Sequence, residues 1–328
     1  MNETAASRLP INIDDVRAAA ERLKGVVKTT PVHTSRQANE QSGVQAFFKC
    51  ESFQRGGAFK LRGAFNAVAR LDPDERAKGV VAASSGNHAQ GVAISAQHFG
   101  IPAVICMPDD TPRLKVAATH GYGAEVVEFD RHRESPDQIV TRIAKERGLT
   151  IIPPFDHVDV MAGQGTVALE LWEQAGPLDA LIVPLGGGGL LSGCATVAKA
   201  LNPDCHVIGV EPEGADDWVL SLARGERVII EPPTTIADGI RTRQPGRLPF
   251  EQVRALVDDV VLVSDEEVKE AMRFLVLRMK LVVEAAGAVA PAALLTRRAG
   301  IHESARTGVV ISGGNVDPDL LCSVLLER

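Results

Sequence analysis

The stretch ALIVPLGGGGLLSG, residues 180–193, decides the fold class. An apolar run from Ala180 to Pro184 leads into four consecutive glycines, and these lead into a helical pattern that begins near Leu190. A run that is apolar at every position reads as a parallel strand covered on both faces. Glycines between such a strand and a helix expose successive backbone N–H groups at the positive end of the helix dipole. Gly186, Gly187, Gly188 and Gly189 are therefore read as a cradle for a phosphate. A plain turn has no need of four residues that each lose so much backbone entropy on folding. The sequence contains no G-x-x-x-x-G-K-[ST], and no G-x-G-x-x-G followed by an acid at the right distance. Neither a nucleoside triphosphate nor a dinucleotide is thus the obvious owner of that phosphate.

Outward from this unit the same alternation continues in both directions. Strands are expected at Ala46–Cys50, Gly79–Ala83, Ala103–Met107, Glu125–Phe129, Thr150–Ile152, His206–Glu211, Asp258–Val263 and Thr307–Ser312. Between them lie helical stretches such as Phe59–Leu71, Asn87–Gly100, Ser135–Arg147, Val158–Ala175 and Ser264–Met279, and Asn12 or Asp14 can cap a first helix. The class is α/β, with two open, twisted, mostly parallel sheets flanked by helices and meeting at a cleft. The polar, proline-rich stretch Glu231 to Leu248 reads as a long surface loop, although Thr235–Gly239 within it is too apolar for plain linker.

The chain has 328 residues and a formal net charge of -7, with no long Lys/Arg cluster, which argues against nucleic-acid and anionic-membrane partners. A small-molecule ligand is expected. Cys50, Cys106, Cys194, Cys205 and Cys322 form no C-x-x-C pair and read as reduced core thiols. Without a signal-like or membrane-spanning apolar segment, a cytoplasmic location is the expectation.

Three further motifs carry chemistry. SFQRGGAFK, residues 52–60, places Lys60 at a helix start behind a glycine turn, where a buried amine can anchor a single-phosphate cofactor. The competing reading is an ordinary surface lysine on an amphipathic helix, and the local pattern does not separate the two. SSGNH, residues 84–88, offers hydroxyls, an amide and N–H groups at another helix start, as a carboxylate cradle or as simple N-capping. Ser312, at the end of the last strand, stands where open α/β sheets bind ligands and can meet a ring nitrogen or merely form a turn. EPEGADD, residues 211–217, can chelate a hard cation or serve as a solvated loop and cap.

Taken in order, SFQRGGAFK, SSGNHAQG (84–91), AGQGT (162–166), GGGGLLSG (186–193), TIADG (235–239) and SGGNVD (312–317) resemble a known set. They are similar to the fold-type II pyridoxal-phosphate (PLP) enzymes of the serine/threonine dehydratase family. That family includes serine racemases, threo-3-hydroxyaspartate ammonia-lyases and threonine ammonia-lyases. The match spans nearly the whole chain and implies a tryptophan synthase β-like fold. Residues 1–78 and 155–328 would form a large cofactor domain, and 79–154 a small inserted domain closing over the site.

The resemblance implies that Lys60 holds PLP as a Schiff base with Phe59 beside it. Asn87 would contact the cofactor's 3-hydroxyl, Gly186 to Gly189 its phosphate and Ser312 its pyridine nitrogen. Ser84, Ser85, Asn87 and His88 would bind the substrate carboxylate. The implied activity is loss of water and ammonia from L-serine, L-threonine or threo-3-hydroxyaspartate, with Lys60 taking the α-proton. Ser85 matches the opposite-face acid/base of the racemases, so racemisation is the alternative. Glu211, Ala215 and Asp217 match a divalent-cation site for Mg2+ or Ca2+, and a homodimer is implied. Relatives carry an arginine after a serine where this chain has Pro136 in ESPD, residues 134–137. Arg131 or Arg133 is the expected substitute, and the form of the motifs leans towards the hydroxyaspartate branch.

Overall fold

The computed structural model describes residues 9–111, 113–130 and 132–326. Its strands are β1 (Val32–His33), β2 (Gln45–Cys50), β3 (Val80–Ala83), β4 (Ala103–Pro108), β5 (Glu125–Phe129), β6 (Thr150–Ile151), β7 (Ala180–Pro184), β8 (His206–Pro212), β9 (Asp259–Val263) and β10 (Arg306–Ile311). One sheet has the order β1-β2-β10-β7-β8-β9 and the other β5-β4-β3-β6. All pairings are parallel except β1 with β2. Every strand of the second sheet falls within residues 80–151. β5 and β7 match the sequence reading to the residue, β10 is shifted by one residue at both ends, and the other foreseen strands differ by one residue at one end. The short β1 was not foreseen.

The reason is hydrophobic. β7 is buried at every position, between a layer containing Met161, Leu171 and Leu191 and one containing Ala288 and Val289. Helices cover both faces, so continuous apolar runs replace the alternation of a half-exposed sheet. Helix ends follow the side chains that stop them: Asn12, Ser135 and Ser264 each complete a capping box with the residue three positions on. Helices Val158–Ala175 and Gly189–Leu201 cross so closely that a Cβ on Gly193 would lie 2.4 Å from Gly165 N. This contact seats the helix that begins in the glycine loop.

Three readings need correction. The helix expected over Ser264–Met279 stops at Phe274 and continues as a π turn, Leu275–Met279. Successive apolar residues there cannot all face one side of a regular helix, and the wider turn buries Leu275 while exposing Leu277. The segment from Glu231 to Leu248 is not wholly a surface loop. Thr235 and Ala237 are buried, in line with the apolar character of Thr235–Gly239, and beyond that Ile240 is buried, a short 3-10 turn spans Asp238–Ile240, and a helix begins at Arg247. Cys50, Cys106, Cys194 and Cys205 are buried free thiols, but Cys322 is exposed. No helix among the described residues is long and apolar enough to cross a membrane.

Candidate active site

A cavity of about 500 Å³ opens where the two sheets meet. Lys60 begins the helix Lys60–Arg70, and its Nζ donates to Pro154 O at 2.9 Å and lies 5.1 Å from the centre of the Phe59 ring. Burial pulls its amine down to about 8, partly opposed by the Glu284 carboxylate. Two neighbours fix the backbone here. Phe59 N donates to Ser312 O at 3.0 Å, tying the lysine motif to the end of β10. On the other side a Cβ on Gly91 would come within 3.1 Å of Lys60 C, a tight contact that glycine avoids where the helix Asn87–Phe99 approaches.

The glycine loop also lines the cavity. Gly188 has φ 93°, which favours glycine, and a Cβ on Gly187 would lie 2.2 Å from Phe155 Cδ1. The wall there is thus backbone, and Gly189 opens the helix whose first N–H groups lack intrahelical acceptors. Ser312 is buried at the cavity, its Oγ donating to Ala286 O at 3.3 Å. A cradle without side chains, an amine of lowered pKa and a buried hydroxyl fit the phosphate, aldehyde and ring nitrogen of PLP.

Ser84, Ser85, Asn87 and His88 line the same cavity. The side chain of Asn87 is already engaged: Nδ2 donates to Glu284 Oε1 at 2.7 Å, and Oδ1 accepts from Asn315 Nδ2 at 2.8 Å. Asn315 Nδ2 also donates to Gly56 O at 2.7 Å. Burial, and secondarily the charge of Lys60, pushes His88 down to about 3, so the ring is neutral. Its Nε2 lies 2.9 Å from Ile152 O, where a neutral ring donates. The ring therefore has no spare donor for a carboxylate, and what His88 can offer one is its backbone N–H. Glu284 and Asn315 were missed in the sequence; the visible signal was one acid heading the apolar run EAAGAVA, residues 284–290.

The acidic motif lies outside the cavity. Glu211 accepts from Trp218 N and Val219 N, each at 3.2 Å, and so caps the helix Asp217–Arg224. Asp217 Oδ1 accepts from Thr242 Oγ1 at 3.4 Å, while Oδ2 is buried without a donor among the described residues. Burial pushes both carboxyls up, and the nearby Asp217 adds to the shift at Glu211. Ala215 lies between them, its N–H on Pro212 O. Among the described residues no three His, Cys, Asp or Glu side chains are grouped for a metal. Arg133 does not replace the missing arginine, because it is exposed and pairs with Asp130 at 3.2 Å. Arg131 lies outside the described residues.

A buried lysine and a glycine loop that line one cavity between two mostly parallel sheets are an arrangement that suits a phosphate-bearing cofactor in an enzyme of α/β class. The family model described as "Pyridoxal-phosphate dependent enzyme" matches residues 23–313, and the chain belongs to that family. It is 50% identical over 303 residues to L-threo-3-hydroxyaspartate ammonia-lyase of Saccharomyces cerevisiae, covering 92% of this chain and 93% of that one. Serine racemase of Schizosaccharomyces pombe is 49% identical over 304 residues, covering 93% and 94%. The structure of maize serine racemase superposes with a TM-score of 0.92 at 42% identity, covering 96% of each chain.

Proposed function

We propose that the protein is a PLP-dependent ammonia-lyase that removes water and ammonia from a 3-hydroxy amino acid: L-serine, L-threonine or L-threo-3-hydroxyaspartate. The observation that carries this reading is the Lys60 amine, held at about 8, in one cavity with two helix starts of exposed N–H groups. The bound cofactor draws electrons from the substrate α-carbon. Lys60 takes the α-proton, because its neutral form is populated near physiological pH. The 84–88 loop holds the substrate carboxylate through backbone N–H groups and the serine hydroxyls. The 3-hydroxyl leaves with its bonding pair and takes up one proton to become water, which balances the α-proton removed by Lys60, and the released enamine hydrolyses to a 2-oxo acid and ammonia. No arginine is among the described residues that line the cavity, so a charged distal end of the substrate has no fork-shaped partner there.

Racemisation is the second reading, favoured by Ser85 lining the same cavity as Lys60. Incubation with each candidate substrate, followed by assay of 2-oxo acid and ammonia and chiral analysis of residual serine, separates them. We expect 2-oxo acid from at least one substrate; none from any, with scrambled serine, would establish the racemase instead. Ser85→Ala should lower racemisation about 10²-fold or more, the usual worth of a general acid, and elimination far less.

We also propose that Glu211, Asp217 and the carbonyl of Ala215 bind Mg2+ or Ca2+. Two buried carboxyls held above the usual carboxylate range, one with an oxygen lacking a donor, are a donor set that a hard cation relieves. Saturating Mg2+ or Ca2+ should raise the melting temperature, with about 2.7 kcal/mol gained at a hundredfold excess over Kd. Asp217→Asn should abolish that gain, and a wild type indifferent to both cations refutes the site.

Finally, we propose a homodimer. Phe53, Leu277 and Val282 are exposed, and Ser52 and Val282 both flank Gly314, which brings the segments of Phe53 and Val282 together with Leu277 five residues before Val282. Light scattering should give twice the chain mass for the wild type and the single mass for Leu277→Asp. A monomeric wild type excludes the pairing.

A further inference from the structure

A peptide loop binds an anion only if its carbonyl oxygens are turned away, since each would repel a phosphate at hydrogen-bonding distance. In the glycine loop the carbonyls are turned away and tied down. Gly188 O accepts from Ser192 N at 2.9 Å, as the first bond of the helix, and Gly187 O accepts from Gly246 N at 3.2 Å. The Gly186 carbonyl, outside the helix, is held by a side chain: the indole Nε1–H of Trp218 donates to it.

Trp218 is itself immobile. Its side chain is fully buried, its ring lies 6.1 Å from that of Phe250, and a Cβ on Gly188 would be 2.3 Å from its Cζ2. Its backbone N–H is bound by Glu211. The indole thus supports the loop from behind at Gly188 and fixes its first carbonyl at Gly186. We infer that Trp218 is a positioning residue for the cofactor's phosphate, acting through the glycine loop without touching the ligand. This inference rests on the reading of that loop as the phosphate site.

The test compares PLP with pyridoxal, which has the same ring and aldehyde but no phosphate, on full-length protein stripped of cofactor. Trp218→Phe keeps an aromatic plate under Gly188 and removes the N–H. We expect its dissociation constant for PLP to rise about five- to tenfold, the worth of one hydrogen bond. Its affinity for pyridoxal should not change. A purely structural role predicts an equal loss for both ligands, and an equal loss for both, or no loss for PLP, overturns the inference. A wild type that binds pyridoxal as tightly as PLP removes the phosphate reading and the inference together. A wild-type preference that survives intact in Trp218→Phe removes the inference alone.

Should Trp218→Phe fail to fold, Trp172→Phe decides. It leaves Trp218 as the one indole of the two in the chain. Inorganic phosphate added to that cofactor-free variant should then change the indole emission saturably, with PLP competing. Unchanged emission overturns the inference.

Discussion

Lys60→Ala is expected to lower kcat by about 10⁴-fold or more, because in the proposed mechanism one substitution removes both the cofactor's covalent anchor and the base for the α-proton. Lys60→Arg should be almost as poor. It keeps a cation in the cavity, but a guanidinium stays protonated at every accessible pH and can neither add to an aldehyde nor take a proton. If Lys60→Arg retained activity, Lys60 would be acting as a charge and the base would be elsewhere. The pH dependence of cofactor attachment gives an independent check. Only the neutral amine adds to the PLP aldehyde, so the attachment rate for cofactor-free enzyme should rise with pH. Burial brings the amine down to about 8 from an ordinary 10.5, which sets the midpoint near pH 8. Glu284 opposes that shift, so Glu284→Gln should move the midpoint lower still. A wild-type midpoint near 10.5 would show that the amine is solvated, and the catalytic assignment would fall with it.

The parts of this site that were legible in the sequence are those written in adjacent residues. β7 and its glycines announce a covered strand, a turn and a helix start within fourteen residues, because apolar runs and glycines act locally. Lys60 was undecided at that range. What sets its environment is the closeness of Gly91, the carbonyl of Pro154 and the carboxylate of Glu284, and these come from other parts of the chain. The helix Ala285–Leu295 was invisible for a different reason. It is buried on all sides and holds Pro291 in its interior, so it has neither a polar face to set a period nor a clean propensity. Glu284 sits at its N-cap, and missing the helix meant missing the acid.

The charged cluster behind Lys60 was equally hidden, and it carries the second large effect. Arg62, two residues along the same helix, is wholly buried and forms a fork on Glu51, Nε to Oε2 at 2.8 Å and Nη2 to Oε1 at 2.9 Å. It makes a second fork on Glu170 at 2.7 and 2.8 Å, and Lys49 Nζ reaches Glu170 Oε2 at 2.7 Å. Burial works against the charge on Arg62, but Glu51 and Glu170 outweigh it and hold its pKa above the ordinary value. Two cations and two carboxylates therefore balance only as a set. Arg62→Met should cost about 3–5 kcal/mol, since it leaves the buried Glu51 carboxylate without its cation. The melting temperature should fall by on the order of 10 °C. Breaking the exposed pair of Arg17 with Asp14 by Arg17→Met should stay within about 1 kcal/mol, because water screens it. The double variant Glu51→Gln with Arg62→Met removes the stranded charge and should recover part of the loss. If the double variant instead lost the sum of the single losses, the damage at Arg62 would be one of packing volume, and the charge balance would not be what holds the Lys60 helix in place.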